Sequence, residues 1–466
     1  MAVLSNIRRT FSNFINPDKF TNAFARAFYT AVGGGFTQYE YKNKEYLEKG
    51  YGMNSTVYSV ISQMSTKTAS IPFYVKKIKA TQQKHRLDSL KRTTKGLYTP
   101  QQELKKMILE SKAYDEKILD FPMERPNTLQ TWDELLSLYK TFLRTTGNAY
   151  FYMLRPSERE NAPPQQVYIL PSHMVQIVLR SDADTLSDEN PISHYVLTEG
   201  ETFTPFRCED VIHVKMANPF YDKNGSHLYG LSPLRAALRN IQSSNEAMDN
   251  NIKTLSNNGA FGFIHGKSIP LTPTQAQELK ERLREMDSSK DRMANVAGMS
   301  AEVGFTRISL TTDELKPFDF LKYDEKQICN VLGWSDKLLN NDDGAKYDNV
   351  NSFRQQVITD NILPDLQLLE SAFNSYFLPL FKGYEGTILE FDISELPEMQ
   401  SDVEKLSAWL KDALDRGVIN RNEYRSAIKY PESDDKSLDI HTVSLNTMSL
   451  DEAIAQNFSI DEPSDI

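Results

Sequence analysis

The residues best spaced for chemistry are Gly262-Phe263-Ile264-His265-Gly266-Lys267-Ser268, which come close to a phosphate-binding loop. In such a loop four residues separate the glycines, so that backbone N–H groups cradle the phosphates and the lysine reaches the outer ones. Only three residues separate Gly262 from Gly266, and Pro270 stands where the following helix would need donors, so nucleotide binding is not expected. Gly33-Gly34-Gly35 is not followed by a strand–helix dinucleotide unit and reads as a hinge. The polar run from Asn340 to Asn349 is rich in Asp and Asn. Aligned on Gly344 as a calcium loop, however, it places Leu339 and Val350 at the first and twelfth positions, where carboxylates are required. His173, His194 and His213 lie on or beside predicted strands without metal or catalytic spacing, and read as structural. Cys208 and Cys329 share no ligand spacing with the histidines and fit a reducing compartment. No catalytic residue, cofactor or metal ligand is assigned.

Charge narrows the remaining classes. The chain of 466 residues has a formal net charge of −10, but residues 431–466 hold nine acids and one lysine, a charge of −8. The other 430 residues carry 52 basic and 54 acidic side chains, so the body is nearly neutral and residues 431–466 read as a disordered or interaction segment. Within the body, Lys76 to Lys112 carries eleven Lys or Arg against Asp88, Glu103 and Glu110. Such a run reads first as solvated faces, with a docking patch for an acidic partner as the sharper alternative. The N-terminus mixes Arg8, Arg9, Lys19 and Arg26 with Phe11, Phe14, Phe20 and Phe24. This composition fits a transit peptide, a membrane-surface helix or an arm that docks on a neighbouring subunit. No stretch approaches the roughly 20 apolar residues of a membrane-spanning helix.

The length implies two to four modules. Ile71 to Val75 reads as a strand entered through a proline. Thr131-Trp132-Asp133-Glu134 supplies a capping box for a helix that buries Leu135, Leu136, Tyr139 and Leu143 and ends at Gly147. Strands follow at 149–154, 167–170, 175–179, 195–197 and 211–215, making the first half α+β. Ser232, with Pro233 after it, begins a helix running to about Asn258 that bears Leu234, Leu238, Ile241, Met248 and Ile252 on one face. A small unit spans a strand at 261–264, a capped helix from Thr272, and strand-like residues near 303–310. Asp313 begins another helix. Later come a strand at 387–393 and helices at 403–415 and 420–428. The fold class is α+β, mainly helical.

After the polar loop, Phe353, Val357, Leu363, Leu366, Leu369, Phe373, Phe377 and Leu380 keep the three-to-four spacing of one helical face. A helix from Asn351 to Phe381 would be roughly 45 Å long. Pro364 lies inside it, cannot donate to the Asp360 carbonyl, and predicts a kink costing about 3 kcal/mol unless neighbours compensate. Taken alone, the pair favours a core helix with a tolerated proline beside a flexible loop.

Several ordered motifs share a resemblance. They are Arg125-Pro126-Asn127, Gly147-Asn148-Ala149-Tyr150, Leu170-Pro171-Ser172, Glu209-Asp210-Val211-Ile212-His213, Gly230-Leu231-Ser232-Pro233-Leu234, Asn258-Gly259-Ala260, Gln327 to Trp334 and Asn422-Glu423-Tyr424-Arg425. Together, over about Val57 to Pro431, the chain resembles the portal protein family of tailed double-stranded DNA phages. It departs from the family in the basic insertion, the N-terminal arm and the acidic tail.

The resemblance implies an N-terminal arm (1–53), a wing (54–230, with the basic insertion at 76–117) and stem helices (231–259 and 312–337). It also implies a clip (260–311), a tunnel loop (338–350), the wing's kinked helix and strand (351–397), a crown (398–430) and the acidic tail (431–466). It implies a homo-oligomeric ring, twelve subunits in the mature assembly, at a capsid vertex of the virion, built in the host cytoplasm. Double-stranded DNA would pass through without sequence specificity. The terminase large subunit hydrolyses the ATP, and terminase and the head–tail adaptor dock on the clip; major capsid and scaffold proteins are further partners, and no membrane is involved.

The residues expected to matter are Lys337, Asn340, Asn341, Asp342, Asp343, Lys346 and Asp348 in the tunnel loop and Lys316, Lys322 and Lys326 on the stem's channel face. Pro364 marks the kink, and Lys280, Arg282, Arg284, Lys290 and Arg292 mark the clip. On the residues alone, a hydrolase or transferase in the α+β half and an oligomeric scaffold without a channel remain open.

Overall fold

The computed structural model describes residues 42–156, 162–180, 190–220, 225–256, 262–266, 272–274, 277, 281, 303–307, 317–339, 347–399, 403–427, 433, 435–443 and 448–449. It divides into two units, Met1–Ala237 with Cys329–Ile466, and Leu238–Ile328.

The first unit is organised around helix α4, so numbered after α1 (Ser55–Ala69), α2 (Thr81–Thr94) and α3 (Pro100–Ala113); α4 spans Trp132–Thr146. Its capping box forms as read: the Glu134 N–H donates to Thr131 Oγ1 and the Thr131 N–H to Glu134 Oε2, satisfying two orphan donors at the helix start. Gly147 ends the helix with φ of 78°, and a Cβ there would lie 2.6 Å from the carbonyl carbon of Leu231, so geometry and space both demand glycine.

The first unit also holds three antiparallel sheets. Strand β1 (Phe73–Ile78) lies between β11 (Thr387–Phe391) and β2 (Tyr114–Leu119). Strand β3 (Asn148–Leu154) lies between β4 (Gln166–Leu170) and β8 (Val211–Lys215). The third sheet has β6 (Ile192–Glu199) between β5 (Val175–Leu179) and β7 (Thr202–Arg207). The basic insertion is therefore a helical hairpin, α2 and α3, followed by a strand that pairs with β1. That pairing was not expected from its charge.

The predicted long helix is a sequence of three segments: α7 (Tyr347–Val357), a π-helical turn (Ile358–Ile362) and α8 (Leu363–Tyr376), with Pro364 the second residue of α8. Val357, Leu366, Leu369, Phe373 and Phe377 are buried as the spacing predicted. They share one core with Leu135, Tyr139 and Leu143 of α4, Phe151 of β3, Val214 of β8 and Leu389 of β11. Ile358 and Ile362 are buried too, because the wide turn brings more of its circumference inward. The predicted loop is shorter than 338–350: Asp336–Leu338 is a 3₁₀ turn and Tyr347 already begins α7.

Helices α5 (Leu234–Ser256) and α6 (Pro317–Leu332) carry the chain into and out of the second unit. Asn240 Nδ2 donates to the buried Asp324 Oδ1 at 2.8 Å, joining α5 to α6. Gly262–Gly266, the near-miss phosphate loop, is strand β9, paired antiparallel with β10 (Val303–Arg307).

Helices α9 (Val403–Asp415) and α10 (Arg421–Ala427) follow as read. The expectation of disorder for 431–466 does not hold throughout. Lys436–Asp439 is a 3₁₀ turn, strands β12 (Thr442–Val443) and β13 (Met448–Ser449) pair, and Asn422 Nδ2 reaches the Ser433 carbonyl and Asp439 Oδ1.

Candidate functional site

The π turn before Pro364 is where the structure concentrates its buried charge. Lys140 and Arg144, four residues apart on α4, fall on one face of that helix. Lys140 Nζ lies 2.6 Å and Arg144 Nε 2.7 Å from Asp365 Oδ2. The same two cations donate to the Asn361 main-chain carbonyl, Lys140 Nζ at 2.9 Å and Arg144 Nη2 at 3.0 Å. Tyr139 Oη donates to the Asp365 carbonyl at 2.6 Å. In an α-helix the residue at 364 would donate to the carbonyl of Asp360, which proline cannot do. Side chains from α4 donate instead to the neighbouring Asn361 and Asp365 carbonyls of the same turn.

All of these groups are buried. Burial pulls the Lys140 ammonium down to about 7; Arg144 pushes the same way and Asp365 opposes. Burial, with Asp365 beside it, holds the Tyr139 hydroxyl well above its ordinary range, so it stays a donor.

Asn361 carries the joint one step further. Its Nδ2 donates to the carbonyl of Gly333, the left-handed residue (φ 67°) that ends α6, and a Cβ on Gly333 would lie 2.6 Å from the Asn361 side chain. The Trp334 N–H closes the helix end by donating to the Cys329 carbonyl at 2.8 Å. The end of α6, the approach to the polar loop and the π turn thus meet at one amide side chain. Asp360, on the outer side of the turn, pairs with Lys95 at the tip of the basic hairpin at 2.9 Å.

The expected loop and stem residues are placed unevenly. Lys337 is exposed, with Nζ 5.4 Å from the centre of the Phe353 ring. Asp348 lies in the first turn of α7, while Asn340, Asn341, Asp342, Asp343 and Lys346 lie outside the described residues. Lys322 and Lys326 are exposed on α6, and Lys316 lies outside the described residues, as do Lys280, Arg282, Arg284, Lys290 and Arg292, the residues expected for the clip. Pro364 is exposed, its ring turned away from the core that its helix fills. Sequence reasoning missed Lys140, Arg144, Asp365 and Asn361. The available signal was two cations four residues apart on a helix whose neighbours were read as core.

The motif residues prove to be joints. Asn127 Oδ1 accepts from the Leu129 and Gln130 N–H groups while its Nδ2 donates to the Val167 carbonyl, pinning the turn to β4. Asn148 Oδ1 accepts from the Gly230 N–H at 2.6 Å and lies 3.0 Å from His213 Nε2. Because an amide oxygen only accepts, His213 Nε2 carries the proton of that contact. Burial drives His213 down to about 3, so the ring is a neutral structural donor, stacked on Tyr150. Ser232 Oγ donates to the Thr145 carbonyl and accepts from the Leu234 N–H, fixing the start of α5 against α4.

Comparison with known proteins agrees with this architecture. An uncharacterised protein of Rickettsia felis is 22% identical over 337 residues, 70% of this chain and 81% of that one. A chain in the virion of a native gene transfer agent particle aligns with TM-score 0.56 and 17% identity, covering 88% of this chain and 100% of its own. A chain in the neck of the native gene transfer agent particle, solved with C12 symmetry, gives the same values. These likenesses show the fold. The family profile described as phage portal protein matches residues 100–428, well over half of the chain, and the protein therefore belongs to the phage portal family.

Proposed function

We propose that the protein forms a ring at one capsid vertex of a phage-like particle, with an axial channel through which double-stranded DNA is packaged and later ejected. The family is structural and the chain is not an enzyme. The observation that carries the ring is the surface of the two stem helices. Met248 is 49%, Ile252 62%, Phe320 62% and Tyr323 59% exposed, and all four belong to one unit. Large apolar side chains exposed on two helices mark a contact surface, and a neighbouring copy would bury them. The gene transfer agent neck solved with C12 symmetry supports twelve copies.

In this reading α5 and α6 form the stem, and residues 260–311 form the clip that receives the terminase large subunit and then the head–tail adaptor. The loop at 338–350 faces the channel, and the π turn with Pro364 is the loop's lever. Capsid and scaffold proteins surround the wing, and assembly precedes incorporation into the virion. A near-neutral body suits DNA that must slide, because each neutralised phosphate adds affinity through counterion release. Lys322, Lys326 and Lys337, with the mixed charges of the loop, offer scattered contacts.

Electron microscopy of the purified protein tests the ring: annular particles with a central hole are expected, and Ile252→Glu with Phe320→Glu should give monomers. Wild-type monomers or closed dimers would refute it. Deleting Asn340 to Asp348 should leave rings intact and impair DNA packaging or retention. Unchanged packaging would remove the loop from the channel.

A further inference from the structure

The basic hairpin uses only part of its charge internally. Lys91 bridges Glu390 and Glu110, Lys76 pairs with Glu390, Lys106 with Glu103, and Lys95 with Asp360. Lys79, Lys84, Arg86, Arg92, Lys105 and Lys112 make no ion pair or side-chain hydrogen bond with any described residue, and all but the half-buried Lys84 are exposed. Glu103 and Glu110 are spent on Lys106 and Lys91, so the hairpin's outer surface carries a clear positive surplus.

The chain also holds a segment of opposite charge. Residues 450–466 contain Asp451, Glu452, Asp461, Glu462 and Asp465 and no Lys or Arg. They continue from β13, whose partner strand β12 packs against α9, and α9 also packs against α3 of the hairpin. Seventeen residues reach roughly 55 Å when extended, ample to cross from one side of α9 to the other. Leu450, Ile454 and Phe458 recur every fourth residue among the acids, and Leu97 at the hairpin tip is 46% exposed, so an apolar contact is available beside the charges.

We propose that residues 450–466 dock in cis on the α2–α3 hairpin, an electrostatic clasp between the acidic tail and the basic insertion of the same subunit. Charge complementarity and the shared contact with α9 favour this occupant over nucleic acid or a separate acidic protein. Docked there, the segment would cover the exposed lysines and arginines of the hairpin.

The test is zero-length carbodiimide cross-linking of the full-length protein with mass-spectrometric mapping. It is run on subunits mixed from isotopically light and heavy preparations. Links from the 451–465 carboxylates to Lys79, Lys84, Lys105 or Lys112 within one isotope class are expected, falling at least fivefold in 0.5 M salt or in the Lys105→Glu/Lys112→Glu variant. A chain stopped after Ser449 keeps every described element. A labelled peptide of residues 450–466 should bind that chain in fluorescence anisotropy and bind the Lys105→Glu/Lys112→Glu form of it at least tenfold more weakly. Links confined to mixed isotope pairs would overturn the cis placement. A peptide that fails to bind while a short DNA duplex binds the hairpin would overturn the clasp.

Discussion

Asp365 and Glu390 are both carboxylates held by two cations inside the same unit, yet their surroundings differ in sign. At Asp365, Lys140 and Arg144 face one carboxylate and one carbonyl, so positive charge is in surplus; burial, with Arg144 adding to it, pulls Lys140 down to about 7. At Glu390, Lys76 and Lys91 also serve a region that contains Glu110 and Glu370. Burial alone would raise Glu390, but the two lysines hold it below the usual carboxylate range. Burial pushes Glu370 up to about 8, against its hydrogen bond from the Phe391 N–H, and Glu390 adds to the rise. One cluster fastens helix to helix around a proline and the other fastens a helical insertion to a sheet. In each, burial makes one group give up its charge, and it carries the sign in excess.

The largest effect should come from breaking the first cluster. Asp365→Asn leaves two buried cations without their counter-charge and should cost about 3–5 kcal/mol, seen as a large fall in Tm, whereas Lys140→Met should cost far less. Lys140 also has a pH signature. Between its folded value near 7 and its unfolded value near 10.4, the unfolded chain binds the extra proton, so stability should rise with pH across that window. Denaturant titrations of Lys140→Met should lack this rise, and an equal slope in both proteins would separate Lys140 from it.

Next in size is Gly333→Ala. With φ of 67° and the Asn361 side chain 2.6 Å from the new Cβ, about 1–3 kcal/mol of destabilisation is expected in thermal melts. The second cluster should respond in the opposite direction. Glu370 binds its proton more tightly in the folded state, so stability falls as pH rises from about 4.5 to 8, and Glu370→Gln keeps an acceptor for Phe391 without that penalty. The variant should match wild type near pH 5 and exceed it by on the order of 1 kcal/mol at pH 8. A gain equally large at pH 5 would contradict the assignment. The smallest effect is Lys95→Ala: its pair with Asp360 is exposed, and about 0.5 kcal/mol or less should be lost.

The boundaries of α4, the left-handed Gly147, the cap at Ser232, the helix at 403–415 and the apolar face from Val357 to Phe377 were legible because each depends on residues within a few positions of one another. Caps and turns are made by neighbouring side chains on neighbouring backbone. Periodicity likewise reports a face whatever covers it. The same locality made the ordered motifs recognisable, since Asn127, Asn148 and Gly333 serve turns whose geometry few residues satisfy.

Counting charges could not reveal where they meet. Lys140 lies 225 residues from Asp365 and Lys91 lies 299 from Glu390, and only the packing of α4 against α8 and of the hairpin against β11 brings them together. The sequence by itself determined the order of helices and strands, the presence of a helix-disturbing proline and the separation of charge between insertion and tail. The tertiary structure alone decided that the proline follows a π turn, that two buried cations donate to that turn, and that part of the basic insertion is spent inside the fold. Local hydrogen bonding is written in adjacent residues, whereas desolvation of a charge depends on everything that surrounds it.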